Sequence, residues 1–259
     1  MQPPRAHIPA LAPITLVGSG RVGNVLARAL EDAGHDVRLA GRDGFDEACT
    51  GAETVLLCVP DAEIGAACSR AAALSPALRF IGHTSGATGL ETLSPATVQG
   101  AEGFSLHPLQ TVPDAGADLT GAPAAIAGTS PGAVEVARSL ARDCQMLPFE
   151  IPEGSRTAYH AAASMASNFL IALEVSAEEL LGAAGVEDGR ELLAPLVLRT
   201  AANWAESGST ALTGPIARGD EETVRRHLAA IEDLAPELAD TYRALAERTR
   251  SVASTGERT

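Results

Sequence analysis

A glycine-rich hexapeptide near the amino terminus constrains this chain most. Residues 18–23, Gly-Ser-Gly-Arg-Val-Gly, directly follow an apolar stretch at residues 14–17. Apolar side chains then recur at helical spacing as far as Gly34, and a second candidate strand covers residues 35–40. A strand, a G-x-G-x-x-G turn, a helix and a second strand make up the βαβ unit that binds the pyrophosphate of a dinucleotide. The alternative is a glycine-rich turn without a ligand.

Each glycine of the hexapeptide has an expected part in such a site. Gly18 permits the tight turn, Gly20 lets the backbone approach the pyrophosphate, and Gly23 permits close packing of helix against strand. The amino end of the helix offers free N–H groups and a positive dipole to the phosphates. Arg21 either follows the phosphates or is a surface residue of the helix. The predicted cofactor-binding residues are Gly18, Ser19, Gly20, Arg21, Val22, Gly23, Arg42, Val59 and Pro60.

The end of the second strand indicates which dinucleotide binds. An NAD site usually carries an acidic residue there, which binds the 2′-hydroxyl of the ribose. This chain has Ala40, Gly41 and Arg42 at that place. Because a guanidinium suits a 2′-phosphate and can stack on adenine, the sequence favours NADP. Asp43 keeps NAD as the alternative, and Arg42 is otherwise a solvated loop charge.

Strands and helices alternate through the first part of the chain, which predicts an α/β fold with a doubly wound, mainly parallel sheet of the Rossmann-like type. Further candidate strands cover residues 54–59, 79–82, 100–106, 124–127 and 145–149, with helices at 62–73 and 131–142. Beyond Pro152 no candidate strand remains, which predicts an all-α carboxyl-terminal domain. Its candidate helices cover residues 155–184, 189–207, 219–232 and 234–250, and Pro195 is expected to bend or divide the second.

Four segments follow from this pattern. Residues 1–13 are expected to be a flexible tail, 14–152 an NAD(P)-binding domain, 153–250 a helical domain for substrate binding and dimerisation, and 251–259 a second flexible tail.

Polar side chains stand at the ends of two neighbouring predicted strands. His83 and Ser85 end the fourth, and His107 ends the fifth. Ligands of open α/β sheets bind at the carboxyl ends of the strands, so these residues are secondary candidates for lining a site. A single histidine at a strand end is more often structural, which is the alternative here.

The first helix of the second domain carries a polar stripe. His160, Ser164 and Asn168 follow one another at intervals of four residues on a segment that is otherwise apolar almost all round. Such a helix is expected to be buried, and its polar groups then need partners. The partner is either a substrate beside the nicotinamide, which makes these residues candidate catalytic groups, or an internal hydrogen-bond network.

A turn-rich segment, residues 212–220, separates two helices of the second domain. Asp220 is a natural N-cap for the helix that follows it. Capping does not account for Thr213 or Arg218, which are candidates for contacting a substrate oxygen or carboxylate.

Composition excludes several classes of function. All 19 basic residues are Arg and none is Lys, so a catalytic lysine is ruled out. The 33 acidic residues leave a net charge of −14, which argues against nucleic-acid binding. Four scattered cysteines indicate a reducing compartment without a disulfide framework. The longest apolar stretch, around residues 161–173, is shorter than the roughly 20 residues of a membrane span. We therefore expect a cytoplasmic protein that does not bind membranes or a metal.

Six segments of the chain together resemble one family. They are the G-x-G-x-x-G domain, the Val-Pro-Asp of residues 59–61, the polar strand ends at 83–86 and 107–110, the helix segment 159–168 and the turn segment 212–220. The family consists of Rossmann-like proteins with an uncharacterised helical carboxyl-terminal domain. It is similar to the 6-phosphogluconate dehydrogenase-like superfamily, which includes pyrroline-5-carboxylate reductase, β-hydroxyacid dehydrogenases and ketopantoate reductase. The resemblance implies NAD(P) binding, a cleft between domains and a homodimer formed through the helical domain.

One departure from these relatives bears on mechanism. β-Hydroxyacid dehydrogenases and ketopantoate reductases typically use a Lys four residues before an Asn; Asn168 matches the Asn, but Ser164 stands where the Lys would be. Pyrroline-5-carboxylate reductases manage without Lys, since an imine can arrive already protonated. For a C=O substrate, His160 is the first choice as general acid.

The sequence thus predicts an NADP-dependent oxidoreductase that reduces a small C=O or C=N substrate. A ketopantoate reductase-like enzyme is one alternative, and a sensor that binds NADP without catalysis is another. A metal hydrolase built on His83, His107 and His160 is disfavoured, because these residues lack the spacing of metal ligands.

Overall fold

A computed structural model of the chain describes residues 13–256. The strands are β1 (Ile14–Val17), β2 (Val37–Ala40), β3 (Thr54–Leu57), β4 (Phe80–His83), β5 (Glu102–Pro108), β6 (Pro123–Gly128) and β7 (Leu147–Glu150). The helices of the first part are α1 (Arg21–Asp32), α2 (Phe45–Cys49), α3 (Ile64–Leu74), α4 (Ser94–Thr97), α5 (Pro131–Asp143) and α6 (Arg156–Ala166). Those of the second part are α7 (Asn168–Ala183), α8 (Gly189–Ser207), α9 (Glu221–Leu234) and α10 (Ala239–Gly256).

The strands form a single seven-stranded sheet in the order β2-β1-β3-β4-β5-β6-β7. Neighbouring strands run parallel except β5 and β6, which pair antiparallel, so the predicted α/β class with a mainly parallel sheet and a helical second part is confirmed. The chain order reverses between β1 and β3. Ligands of such sheets bind at this reversal, outside the carboxyl ends of the strands.

Alternating side chains of the central strands supply two apolar cores, one on each face of the sheet. Ile14 and Leu16 of β1 lie in the core shared with α1 and α5, whereas Val17 lies in the core shared with α2 and α3. Successive side chains of a strand point to opposite faces, and burial of both faces requires an uninterrupted apolar run. This explains the sequence Ile-Thr-Leu-Val of β1, whose Thr15 is buried and donates a hydrogen bond of 3.1 Å to the Ala48 carbonyl.

Contacts within the chain divide it into two compact units between Ser164 and Met165. The sequence analysis places a boundary near Pro152, just beyond the end of β7, whereas the division between the units falls near the end of α6. Of the expected tails, residues 1–12 and 257–259 lie outside the described residues, and α10 continues as far as Gly256.

The long helix expected at residues 155–184 is two helices, and this corrects the prediction of a continuous polar stripe. Ser167 separates α6 from α7 with φ −123° and ψ −72°, which are not helical angles. Asn168 therefore begins a new helix and does not continue the stripe of His160 and Ser164. In contrast, α8 runs through Pro195 without a division.

The expectation that this apolar helix is buried is also wrong within the single chain. Arg156 is the one buried residue of α6, and none of α7 is buried. An apolar pattern predicts that a helix packs against another surface, but it does not say which one. In the single chain, most of the surface of α6 and α7 stays exposed. None of the helices between residues 13 and 256 combines the length and the apolar character that a membrane span requires.

Candidate functional site

A cleft of about 510 Å³ opens at the carboxyl ends of β1, β2 and β3, where the strand order reverses. Its walls include residues from each expected cofactor-binding segment and from the start of α3. The residues that line it are Val17, Gly18, Ser19, Gly20, Gly41, Arg42, Phe45, Cys58, Val59, Pro60, Glu63, Ala66, Ala67 and Arg70. The cleft therefore gathers most of the predicted cofactor residues into one cavity.

The three glycines of the hexapeptide meet the demands of a phosphate-binding turn. Gly18 has φ +112°, and a Cβ there would collide with the carbonyl oxygen of Cys58. A Cβ at Gly23 would collide with the carbonyl oxygen of Gly18, so the helix packs closely on the turn. A Cβ at Gly20 would meet nothing within 4 Å and would project into open space. That arrangement fits a backbone cradle that a pyrophosphate can approach.

A residue that the sequence analysis did not single out braces this turn. The side-chain amide of Asn24 donates to the carbonyl oxygens of Ser19, at 2.6 Å, and Gly20, at 2.9 Å. Three residues of the predicted set, Arg21, Val22 and Gly23, do not line the cleft. The Arg21 guanidinium donates to the Pro113 carbonyl at 3.4 Å, Val22 packs against the core, and Gly23 packs against the turn.

Arg42 stands at the mouth of the cleft, after β2, with its side chain 88% exposed. Its guanidinium lies 3.1 Å from the Glu63 carboxylate, which crosses to it from the segment before α3. Asp43, the residue that keeps NAD as an alternative, does not line the cleft. The part of the cleft where the adenosine of the cofactor is expected therefore carries one guanidinium and one carboxylate side by side.

The turn after β3 forms the next part of the wall. Val59 and Pro60 line the cleft beside the hexapeptide, as expected. Burial raises the pKa of the adjacent Cys58 thiol to about 12, despite a hydrogen bond with Thr84. Since thiolates are the reactive form, this cysteine is an inert wall residue.

Two histidines, His83 and His107, lie at the carboxyl ends of β4 and β5, the next strands along the sheet. Together with the residues of α6 that contact His107, they form the histidine cluster. His83 is fully buried at the end of β4, where it pairs in register with Leu57 of β3 and Ser105 of β5. The Ser85 hydroxyl accepts the backbone N–H groups of the turn that follows, which gives it a local structural role. The predicted residues His83, Ser85 and His107 thus occupy neighbouring strand ends.

His107 and α6 meet at this edge. The Nδ1 atom of His107 lies 2.8 Å from the Tyr159 hydroxyl, and its ring centroid lies 6.1 Å from that of His160. Gly86 separates the two imidazoles: a Cβ there would lie 2.8 Å from Nε2 of His107 and 2.9 Å from Cδ2 of His160. Tyr159 is a member of the cluster that the sequence analysis missed, because it lies 52 residues from its partner.

The charge state of His107 follows from its surroundings. Burial, and then electrostatic interaction with His160 and Arg156, lower its pKa to about 4, although Asp61 acts in the opposite direction. Burial raises the pKa of Tyr159 to about 12. At neutral pH the pair is therefore a neutral imidazole and a neutral phenol. When the phenol donates to Nδ1, the imidazole proton resides on Nε2, which faces Gly86.

Arg156 anchors α6 to the sheet and was not expected from the sequence. It is buried at the start of that helix, and its guanidinium donates a hydrogen bond to the hydroxyl of Ser105 on β5. Because one helical turn separates Arg156 from Tyr159 and His160, the anchor fixes both at the edge where His107 lies.

The remaining predicted residues are placed as follows. Ser164 is half-buried near the end of α6, and Asn168 is exposed at the start of α7. Thr213 and Arg218 are exposed in the second unit. Asp220 caps α9 by accepting a hydrogen bond of 3.1 Å from the backbone N–H of Thr223, as predicted. Across residues 13–256 no group of three His, Cys, Asp or Glu side chains could hold a metal ion.

Comparison with known domains identifies both parts of the chain. Residues 40–108 match a Rossmann-like domain. Residues 122–249, which begin at β6, match a domain of unknown function, DUF2520. The chain combines a Rossmann-like domain with a DUF2520 domain. This confirms the predicted resemblance to Rossmann-like proteins with an uncharacterised helical carboxyl-terminal domain. No curated protein matches the sequence.

Solved structures share the fold at low sequence identity. A Bacteroides fragilis protein described as a candidate NADP oxidoreductase is 20% identical, with a TM-score of 0.77 over 93% of this chain and 99% of that one. A Thermotoga maritima protein is 22% identical, with a TM-score of 0.77 over 95% and 100%. The Streptomyces aurantiacus imine reductase is 14% identical, with a TM-score of 0.70 over 96% and 100%.

Proposed function

We propose that this chain is an NADP-dependent oxidoreductase that transfers a hydride to a small organic substrate. The observation that carries the proposal is the order in which the candidate cofactor-binding and substrate-binding residues follow one another across the carboxyl ends of the strands. Arg42 lies at the end of β2, the glycine cradle after β1, Val59 and Pro60 after β3, and the histidine cluster after β4 and on β5. Read across the strands, this order matches a dinucleotide with its 2′-phosphate at one end and its nicotinamide toward the histidines.

The spacing of the strands supports this orientation. Neighbouring strands lie about 4.8 Å apart, so the ends of β2 and β4 are separated by about 14 Å. An extended dinucleotide bound across β1 and β3 would bring its reactive ring to the edge where Gly86, His107 and Tyr159 meet. The bound cofactor would supply the hydride; the chain's residues would bind, orient and shield the substrate.

The protonation state of the cluster favours a C=N substrate over a C=O substrate. Reduction of a ketone leaves an alkoxide that must take a proton, whereas hydride addition to a protonated imine gives a neutral amine directly. The chain contains no Lys, and a pKa of about 4 leaves His107 without a proton to donate as an imidazolium at neutral pH. A cyclic or acyclic iminium is therefore the proposed substrate class, with His107 as a neutral hydrogen-bonding group.

The solved relatives support this proposal by what their descriptions state. They include an imine reductase, a reductive aminase in complex with NADPH and a pyrroline carboxylate reductase with NADP bound. A ketopantoate reductase-like reaction on a C=O bond is the alternative within the same class. It would require His160, the neighbour of His107, as the proton donor.

Cofactor binding is tested by calorimetric titration of NADPH and NADH into the wild type, Arg42→Ala and Arg79→Ala. Arg79 is the matched control. It is an exposed arginine paired with a glutamate, but it lies at the amino end of β4, away from the carboxyl ends of the strands where the cleft opens. We expect NADPH to bind more tightly than NADH, and Arg42→Ala alone to abolish the difference. Failure of the wild type to bind either nucleotide at millimolar concentration would refute the proposed function.

Hydride transfer is tested with NADPH deuterated at C4 and a panel of cyclic imines and ketoacids. Deuterium in the product amine, with slower turnover of ketoacids, is the expected result. Reduction of ketoacids alone, with activity lost in His160→Ala, would favour the ketopantoate reductase-like alternative instead.

A sensor that binds NADP without turnover is the second candidate, and the absence of an imidazolium donor at His107 favours it. It predicts tight NADPH binding, no product from any substrate of the panel, and unchanged binding in His160→Ala.

We further propose that a second copy of this chain covers the apolar faces of α7 and α8, forming a homodimer. Large apolar side chains are exposed there, among them Phe169 and Ile171 of α7 and Leu196, Leu198 and Trp204 of α8. Exposed apolar surface of this extent is typical of an interface. Sedimentation equilibrium is expected to give a dimer that Leu196→Glu dissociates; a monomeric wild type at high micromolar concentration would contradict the proposal.

A further inference from the structure

A second guanidinium lies in the cleft, on an element that the glycine motif does not predict. Arg70 of α3 lines the same cavity as Arg42, and its Cζ atom lies 4.3 Å from the centroid of the Phe45 ring. Its Nε atom donates a hydrogen bond of 2.8 Å to Oδ1 of Asp46. Both partners belong to α2, which directly follows the end of β2.

These two contacts fix the orientation of the guanidinium. The ring of Phe45 is buried and supports one face of the plane, while Asp46 holds the Nε edge. Within residues 13–256, neither terminal nitrogen of Arg70 makes a hydrogen bond. The guanidinium, on a side chain that is 51% exposed, therefore keeps its two terminal nitrogens as donor groups, and a guanidinium binds phosphate through paired hydrogen bonds of this kind.

The wall between the two arginines leaves room for a ligand. Glu63, Ala66, Ala67 and Arg70 follow one another at helical spacing on one face, all lining the cleft. The face has a carboxylate at the Arg42 end, two small side chains in the middle and a guanidinium at the other end. A phosphate that lies between the arginines would meet cationic groups from both sides.

We propose that Arg70 is a second ligand of the 2′-phosphate of NADP, and that Asp46 is the positioning residue that holds it ready. The proposal rests on the proposed function, because it deepens the recognition of the same cofactor. Arg42 is held by Glu63 alone and is largely exposed, so it is free to close on the phosphate. Arg70 is oriented before the nucleotide arrives, so less conformational entropy is lost when it binds.

The experiment titrates four ligands into the wild type, Arg70→Ala, Arg70→Lys and Asp46→Asn. NADPH and NADH differ only by the 2′-phosphate, and adenosine 2′,5′-bisphosphate and 5′-AMP isolate the same difference without the nicotinamide. Arg79→Ala is the matched control. The Cζ atom of Arg79 also lies over a phenylalanine ring, 5.5 Å from the centroid of Phe80, but at the amino end of β4, away from the cleft.

Arg70→Ala is expected to weaken NADPH and the bisphosphate about tenfold or more, the effect of removing a charge-assisted hydrogen bond. NADH and 5′-AMP should bind as they do to the wild type. Arg70→Lys keeps the charge but loses the Nε contact with Asp46, so it should retain part of the affinity. Asp46→Asn should weaken the two phosphorylated ligands by less than Arg70→Ala does, which separates positioning from direct binding.

Three outcomes would overturn the inference. If Arg70→Ala leaves NADPH affinity unchanged while Arg42→Ala reduces it, NADP recognition stands and Arg70 has no part in it. If Arg70→Ala weakens all four ligands equally, Arg70 contacts the adenosine 5′-phosphate portion that they share and not the 2′-phosphate. If the wild type binds none of the four, the proposed function fails as well, and the first two results cannot arise. Circular dichroism of each variant checks that the fold is retained.

Discussion

Acidification should destabilise the first unit through His107, and the size of the effect follows from the pKa of that residue. In the folded protein, burial and electrostatic interaction with His160 and Arg156 lower the pKa of His107 to about 4 from an ordinary value of 6.5. The unfolded chain therefore takes up a proton at His107 as the pH falls below 6.5, while the folded protein does not until about pH 4. The free energy of unfolding therefore has its full value above about pH 6.5 and falls as the pH is lowered from 6.5 to about 4, because only the unfolded chain binds the proton in that range.

The size of the loss depends on the difference between these two pKa values. Each unit of difference between the folded and unfolded pKa corresponds to about 1.4 kcal/mol. Between about pH 8 and about pH 5, the unfolding free energy should fall by about 2 kcal/mol on account of His107. Other groups also titrate in this range, so the quantity to compare is the difference between the wild type and His107→Asn, which keeps an amide near the Tyr159 hydroxyl.

Urea denaturation at several pH values measures this difference. The wild type should lose about 2 kcal/mol more than His107→Asn over the interval. His227→Asn is the matched control, because the Nδ1 atom of His227 also lies 2.8 Å from a tyrosine hydroxyl, that of Tyr242, but on exposed helices. This control should follow the wild type. Parallel curves for the wild type and His107→Asn would refute the lowered pKa of His107, and with it the preference for a C=N substrate that rests on that pKa.

Three further predictions concern packing and the site. Gly82→Ala should destabilise the protein by about 1–3 kcal/mol in urea denaturation, because a Cβ there would collide with the Phe104 ring, and the added Phe104→Leu should recover part of the loss. Ser130→Ala should cost about 1 kcal/mol in the same assay, because the hydroxyl caps α5 by accepting a backbone hydrogen bond of 3.0 Å. Gly86→Ala should abolish reductase turnover while calorimetry finds NADPH affinity within about twofold of wild type, because the new Cβ would displace the imidazole of His107.

Each of these has an outcome that contradicts it. Strictly additive effects of Gly82→Ala and Phe104→Leu would mean that the two residues do not compete for the same space. An equal cost for Ser130→Ala and Ser130→Gly would argue against the cap, since Gly is tolerated at N-caps. Full turnover of Gly86→Ala would separate the histidine cluster from the reaction.

The glycine motif allowed much of the cofactor cleft to be predicted, because its constraints are local. The turn at Gly18 needs a positive φ, Gly23 needs close packing, and both follow from six adjacent residues. The ends of β4 and β5 were predictable for a similar reason: parallel strands bring their carboxyl ends to one edge, and His83 and His107 stand there.

Arg70 and Tyr159 were missed because their positions depend on how separate elements pack. Arg70 reaches the cleft only because α3 lies beside α2, and Tyr159 reaches His107 only because α6 returns along β5. No spacing in the sequence encodes either contact. The break at Ser167 was missed as well, because the apolar pattern continues across it; Ser167 and Asn168, residue types that often begin a helix, were the available signal.

The strand order also has a consequence for how such a protein can change over generations. Arg42 follows β2 and His107 belongs to β5, so about 19 Å and three intervening strand ends separate them. Substitutions this far apart, without shared partners, usually combine additively. Natural variation or laboratory selection can therefore exchange one nucleotide for another without disturbing the chemistry, and a new substrate can be adopted without altering the choice of nucleotide.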